Sequence, residues 1–167
     1  VLPDEIVNFQ YLTHFYVHFN KLQAPLPEAL KTIKTLQTVN ISVNPLNIPF
    51  PTDFISSWPN LAELNVYDCG LTGPVDDVFM HTPLLTKLSI AQNKLTGELP
   101  QTLNLLDFVE FDCKENSFTG ELPALQNTIQ IYRLNLSNNQ FAGTIPGHYG
   151  SFNLQFLAIQ YNNLIGD

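Results

Sequence analysis

One apolar phrase recurs along this chain. Apolar residues stand at positions 1, 4, 6 and 11. The phrase restarts at Leu12, Leu36, Leu61, Leu85, Phe108, Ile131 and Leu154, in steps of 24, 25, 24, 23, 23 and 23 residues. The clearest copy has Leu85, Leu88, Ile90 and Leu95, with Asn93 at position 9. Positions 4 and 6 are two apart, so they project to one side of a short strand while 3, 5 and 7 project to the other. A fixed period of this length predicts stacked copies that pair as a parallel sheet, with positions 4 and 6 in one continuous core. Positions 3, 5 and 7 then face out from the concave side of the stack.

Position 9 reads Asn20, Asn44, Cys69, Asn93, Asn116, Asn139 and Asn162. An asparagine where the chain leaves the strand can bond backbone groups of its own turn and of the next, which would otherwise be buried unpaired. Cys69 is the poorer partner, and a weak point in that ladder is expected there. The second half of each copy is regular too. Pro3, Pro27, Pro51, Pro100, Pro123 and Pro146 share one register, with Asp76 in place of proline in the third copy. Short helical or 3₁₀ turns starting at these prolines are expected on the convex side. The Asp76-Asp77 pair reads as a helix-start feature. Gly73, Gly97, Gly120, Gly143 and Gly166 precede the turn by three residues and mark a backbone bend that a side chain would hinder. Ala24 and Ile48 hold that position in the first two copies, so the bend must differ there.

The elements Thr96-Gly-Glu-Leu-Pro100, Thr119-Gly-Glu-Leu-Pro123 and Ala142-Gly-Thr-Ile-Pro146, following the L-x-x-L-x-L-x-x-N-x-L phrase, resemble the plant-specific subclass of leucine-rich repeats. The resemblance covers essentially the whole chain. It implies an α/β, right-handed leucine-rich repeat solenoid. The members it is similar to are receptor-kinase and receptor-like ectodomains and polygalacturonase-inhibiting proteins. On that likeness the partner is a protein, peptide or glycan, and the place is the extracellular space or cell surface, reached by the secretory route. Residues 1–167 read as one repeat segment cut mid-repeat at both ends. Neither end shows a polar cap or paired cysteines, so a longer parent chain is expected. Any membrane attachment would come from segments outside this chain.

Composition narrows the partners. With 44% hydrophobic and 13% charged residues the chain is ordinary for a globular protein, and a net charge of −8 argues against nucleic acid. Cys69 and Cys113 lie two copies apart, roughly 10 Å across a sheet, beyond disulfide reach. Two buried free thiols and no disulfide are expected. No G-x-S-x-G, H-E-x-x-H, C-x-x-C, phosphate loop or EF-hand loop occurs, so the sequence proposes no enzyme, no cofactor and no metal. His14 and His18 could share an ion on a helix. On a strand they stand about 13 Å apart, too far for one ion.

The candidate contact residues follow from the outward positions. Position 3 reads His14, Thr38, Glu63, Lys87, Glu110, Arg133 and Phe156. The middle charges alternate in sign from strand to strand and predict either a charge ladder or a polar strip that reads a partner. Asp112 and Lys114 extend that centre. His14, Tyr16, His18 and Phe19 form the best aromatic patch, with Tyr67 and Tyr161 further along. Two glycosylation sequons, Asn40-Ile-Ser42 and Asn135-Leu-Ser137, place both asparagines at position 5, about 19 Å apart on the exposed face. Three functions compete: a recognition module, a wall, surface-layer or filament component with lateral self-association, and an inhibitor of a secreted polysaccharide-degrading enzyme.

Overall fold

A computed structural model describes residues 2–23 and 25–166. The turn expected at Ala24, and the chain-end residues Val1 and Asp167, lie outside the described residues. One three-residue strand forms in each copy: β1 (His14–Tyr16), β2 (Thr38–Asn40), β3 (Glu63–Asn65), β4 (Lys87–Ser89), β5 (Glu110–Asp112), β6 (Arg133–Asn135) and β7 (Phe156–Ala158). They pair in chain order as one parallel sheet, each strand in the same register with the next. Every strand therefore covers positions 3 to 5 of the phrase. Positions 1 and 4 are buried at Leu36, Val39, Leu61, Leu64, Leu85, Leu88, Phe108, Phe111, Ile131 and Leu134.

Aromatic residues fill the middle of the core. Phe108 stacks on Phe111 with centroids 5.2 Å apart, and Phe118 on Phe141 at 6.2 Å. Trp58 buries its ring and donates Nε1–H to the Leu30 carbonyl at 2.9 Å, so its one polar atom is satisfied. Cys69 and Cys113 are both buried and unpaired. Burial pushes the Cys69 thiol up to about 11 and Cys113 well above the ordinary range, so both stay protonated.

The asparagine ladder takes a specific form. Asn93 Nδ2 donates to Val66 O of the preceding copy and to Ile90 O and Ala91 O of its own, while its Oδ1 accepts from Cys69 N and Leu71 N. Asn44, Asn116 and Asn139 repeat this pattern toward their own neighbours. At Cys69 the thiol supplies the donor half, to Ile41 O at 3.2 Å. The acceptor half is replaced by a local turn in which Leu46 N donates to Asn44 O at 2.8 Å. The expected weak point is thus a rebuilt turn. Gly70 is part of it: at φ +67°, a Cβ there would stand 2.4 Å from Asn47 Oδ1, which only glycine avoids.

Position 8 carries a constraint that the apolar pattern does not announce. Phe19, Val43, Asp68, Gln92, Glu115, Asn138 and Tyr161 all take left-handed backbone, with φ from 48° to 58°. Six of these residues donate N–H to the position-7 carbonyl of the next copy, as Val43 does to Tyr67 O at 2.8 Å. The ladder holds even a β-branched residue in a conformation it disfavours.

The convex half departs from expectation in three places. Prolines at 3, 27, 51, 100 and 146 immediately precede short helical turns, but Pro123 leads into none, and Leu125 bends through φ +47° with its N–H held by Asn104 Oδ1. The third-copy turn begins at Phe79 after Val78, so the aspartates do not start it. Asp76 instead accepts from Thr52 Oγ1 and Asp77 from Thr102 Oγ1, tying neighbouring copies together. The Thr-Gly elements form lateral strands. Thr72–Pro74, Lys94–Glu98 and Ser117–Thr119 make a second parallel sheet, and Ala142–Gly143 pairs with Asn163–Leu164. The glycines at 73, 97, 120 and 143 sit there at φ 78° to 80°, whereas Gly166 does not share that conformation.

Candidate functional site

The outward face of the main sheet is hollowed. A cavity of about 300 Å³ runs from Tyr16 on β1 to Arg133 on β6. Of the candidate contact residues it gathers Tyr16, Lys87, Glu110, Asp112 and Arg133. His14, His18, Phe19, Tyr67, Lys114 and Tyr161 lie outside it. Thr38, Asn40, Glu63, Asn65 and Ser89 add further polar groups to its wall. Asn65 and Ser89 stand in the position-5 column, where the contact candidates chosen from the sequence were charged or aromatic.

The four alternating charges are registered neighbours, but they do not form a continuous ladder. Lys87 Nζ meets Glu63 Oε1 at 2.8 Å. Glu110 instead accepts from the Tyr132 hydroxyl, and the Arg133 guanidinium lies over the Phe156 ring, 4.1 Å from its centroid. Lys114 turns to Glu115 at 3.6 Å. A cation over an exposed aromatic face gains a comparable amount to a surface ion pair, so the Phe156 ring can compete with Glu110 for Arg133. One expected rung is an ion pair, and the rest of the row keeps free valence toward the cavity.

Asp112 is the electrostatically tense member. Its Oδ1 accepts from Lys114 N at 3.1 Å and its Oδ2 from Asn135 Nδ2 at 3.5 Å. Burial holds its carboxyl above the ordinary range, and the Lys114 amide, Lys114 and Arg133 pull it part of the way back. A carboxyl with a raised folded-state value binds its proton more tightly in the fold, so it costs nothing at low pH. Stability is lost as pH rises from the ordinary value of 3.8 through the folded one. Asp112→Asn is therefore expected to raise the thermal midpoint at pH 7 and to give no gain at pH 3. Melts across that range check it; an equal gain at both pH values would show that charge is not the cause.

The aromatic patch on β1 is continuous. Ring centroids run His14–Tyr16 at 6.2 Å, Tyr16–His18 at 6.3 Å and His18–Phe19 at 5.6 Å. All four side chains are exposed, Phe19 to 74%. Tyr67 is tied back by a hydroxyl bond to Gln92. Tyr161, 77% exposed, stands at the other end of the sheet, about 29 Å from Phe19, so the structure does not join it to the patch. Among the described residues no group of three or more His, Cys, Asp and Glu could hold a metal ion, and no helix is long and apolar enough to cross a membrane.

The sequons diverge from expectation. Position 5 is not uniformly exposed: Asn40 is half-buried, and Asn135 is only 5% exposed. Position-5 side chains also have a structural task. Asn40, Asn65, Asp112 and Asn135 each accept the N–H of position 7 in their own copy.

One in-register strand per copy, an asparagine ladder and lateral Thr-Gly strands define a leucine-rich repeat solenoid. The Leucine Rich Repeat family profile matches residues 84–106 and 130–152. Receptor-like protein 31 of Arabidopsis thaliana is 30% identical over 94 residues, which is 56% of this chain and 11% of that protein. Among solved structures, the Arabidopsis receptor kinase HAESA, in complex with the peptide hormone IDA and the co-receptor SERK1, superposes with a TM-score of 0.88 at 29% identity. That match covers 98% of this chain and 28% of the other. Pollen Receptor Kinase 3 superposes at 0.85 with 30% identity, covering 93% and 76%. The chain spans about a ninth of the curated relative and little more than a quarter of HAESA. The fold is a leucine-rich repeat solenoid similar to that of these plant receptor kinases.

Proposed function

We propose that this chain belongs to an extracellular or cell-surface recognition module that binds a peptide or protein segment along the concave groove between Tyr16 and Arg133. The observation that carries the proposal is the groove itself. Its wall mixes a half-buried carboxylate, a guanidinium held on a ring and an exposed tyrosine, a polar set with valence left for a ligand. Structures with the same architecture support the ligand class: HAESA was solved with a peptide hormone, and RGFR1, a plant peptide hormone receptor, with RGF2. An extended segment laid across the strands would meet Tyr16 first, then Lys87, then Glu110 and Asp112, and last Arg133.

The test is selection from a displayed library of random 12-residue peptides, followed by titration of the enriched peptides. Arg133→Glu is expected to weaken binding at least tenfold, about 1.4 kcal/mol, with only a small fall in melting temperature from the lost Phe156 contact and the facing Glu110. Binders insensitive to both Arg133→Glu and Asp112→Lys would place recognition elsewhere on the solenoid.

A further inference from the structure

The two sequons occupy the same repeat position but lie in different surroundings. Asn40 Oδ1 accepts both Ser42 N at 3.1 Å and Ser42 Oγ at 2.7 Å, which fixes the amide plane. Its Nδ2 has no hydrogen-bond partner among the described residues. Its registered neighbour on β1 is Tyr16, 54% exposed, and on β3 it is Asn65. Asn135 has the same internal bond, Ser137 Oγ to Oδ1 at 2.7 Å. Its Nδ2, however, is donated to Asp112 Oδ2, its registered neighbours are Asp112 and Ala158, and Ser137 is 2% exposed. A sugar on Asn135 would leave one N–H for that contact but need space that the fold has closed around Asn135 and Ser137.

We infer that Asn40 carries an N-linked glycan and that Asn135 does not. The inference rests on the reading that the chain passes through the secretory route. The co-reactant is a lipid-pyrophosphate-linked oligosaccharide. Asn40 Nδ2 forms a bond to the anomeric carbon, the bond from that carbon to the pyrophosphate oxygen breaks, the lipid pyrophosphate leaves with the electron pair, and one amide proton is lost to a base. Transfer precedes folding, so both sites can be met by the transferase. Chains modified at Asn135 then fail to close the sheet at β5–β7 and do not enter the secreted pool. A glycan rooted at Asn40 lies against Tyr16 and covers the β1–β3 end of the groove. The stretch from Lys87 to Arg133 stays open, so a segment bound to the glycosylated protein engages that stretch, and Tyr16 joins the contact only in the deglycosylated protein.

The experiment expresses the chain behind a secretion signal in insect cells, beside a known glycoprotein as a control for transfer. The folded secreted product is treated with a glycan-releasing amidase in ¹⁸O-water and mapped by peptide mass spectrometry. The expected result is label at Asn40 alone. Ser42→Ala and Asn40→Gln should each remove one glycan from the product, Ser42→Thr should keep it, and Ser137→Ala should leave the mass pattern unchanged. Unlabelled Asn40 in the wild-type product overturns the inference, as does labelled Asn135. Glycan mapping uses no ligand and the peptide titrations use deglycosylated protein. A failure of the binding proposal therefore leaves the glycan result standing, and the reverse also holds.

Discussion

Asn139→Ala should destabilise the solenoid by about 1–3 kcal/mol, although the side chain lost is small and polar. Asn139 is 8% exposed. Its Nδ2 donates to Cys113 O at 3.0 Å, Ser137 O at 3.2 Å and Leu136 O at 3.4 Å, and its Oδ1 accepts from Phe118 N at 3.0 Å. Alanine strands one of these groups, the N–H of the fully buried Phe118, while Cys113 O, Ser137 O and Leu136 O keep Asn116 Nδ2, Glu115 N and Asn162 Nδ2. Each buried group left unpaired costs about 1–3 kcal/mol. Urea denaturation measures the loss. Because each copy touches only its neighbours, amide exchange should show it concentrated in the fifth and sixth copies. A loss under about 1 kcal/mol would mean that water replaces the amide, and the ladder would then not be what holds the turns. Cys69→Asn is the informative reverse experiment. It restores the family residue but is expected to gain little, because Leu46 N is already bonded to Asn44 O and only the Asn44 amide, which faces the Cys69 thiol, is left for the new oxygen.

That contrast also explains what the sequence made legible. Strand placement at positions 3 to 5 was readable in every copy because a period-two apolar pair must face one core. Neither the left-handed residue at position 8 nor the lateral Thr-Gly strands could be read that way. Phe19 and Val43 have no preference for positive φ; they take it because their N–H groups meet Ser42 O and Tyr67 O, respectively, across copies. The charge row was read correctly as neighbours; of its two readings, ladder or polar strip, the ladder holds only at Glu63–Lys87. Register is set by the backbone, but Arg133 chose the Phe156 ring and Glu110 the Tyr132 hydroxyl, side-chain options that a one-dimensional pattern does not rank. Asn135 was read as exposed because alternation predicts direction and not cover. Asp112 and Ala158 on the adjacent strands provide the cover.

Phe111→Ala is expected to cost a further 3–5 kcal/mol by a different mechanism. Phe111 is fully buried at the centre of β5, registered between Leu88 and Leu134, and its ring stacks on Phe108 at an interplanar angle of 14°. The fifth copy thus places phenylalanine at positions 1 and 4, where the second to fourth copies place leucine or valine. It also carries Cys113 at position 6, where the other copies have valine, isoleucine or leucine. Positions 4 and 6 project to the same side of a strand, so a small residue at 6 offsets a large one at 4. This volume exchange makes a prediction that loss of apolar area alone does not. Cys113→Ile in the wild-type chain should overpack and destabilise by about 1–3 kcal/mol. In the Phe111→Ala background the same change should refill part of the cavity and recover stability, so the two substitutions should be strongly non-additive. Denaturant melts of the four proteins in this cycle decide it. Stabilisation by Cys113→Ile alone would show that position 6 had room to spare, and the thiol would then need another explanation than the rings beside it.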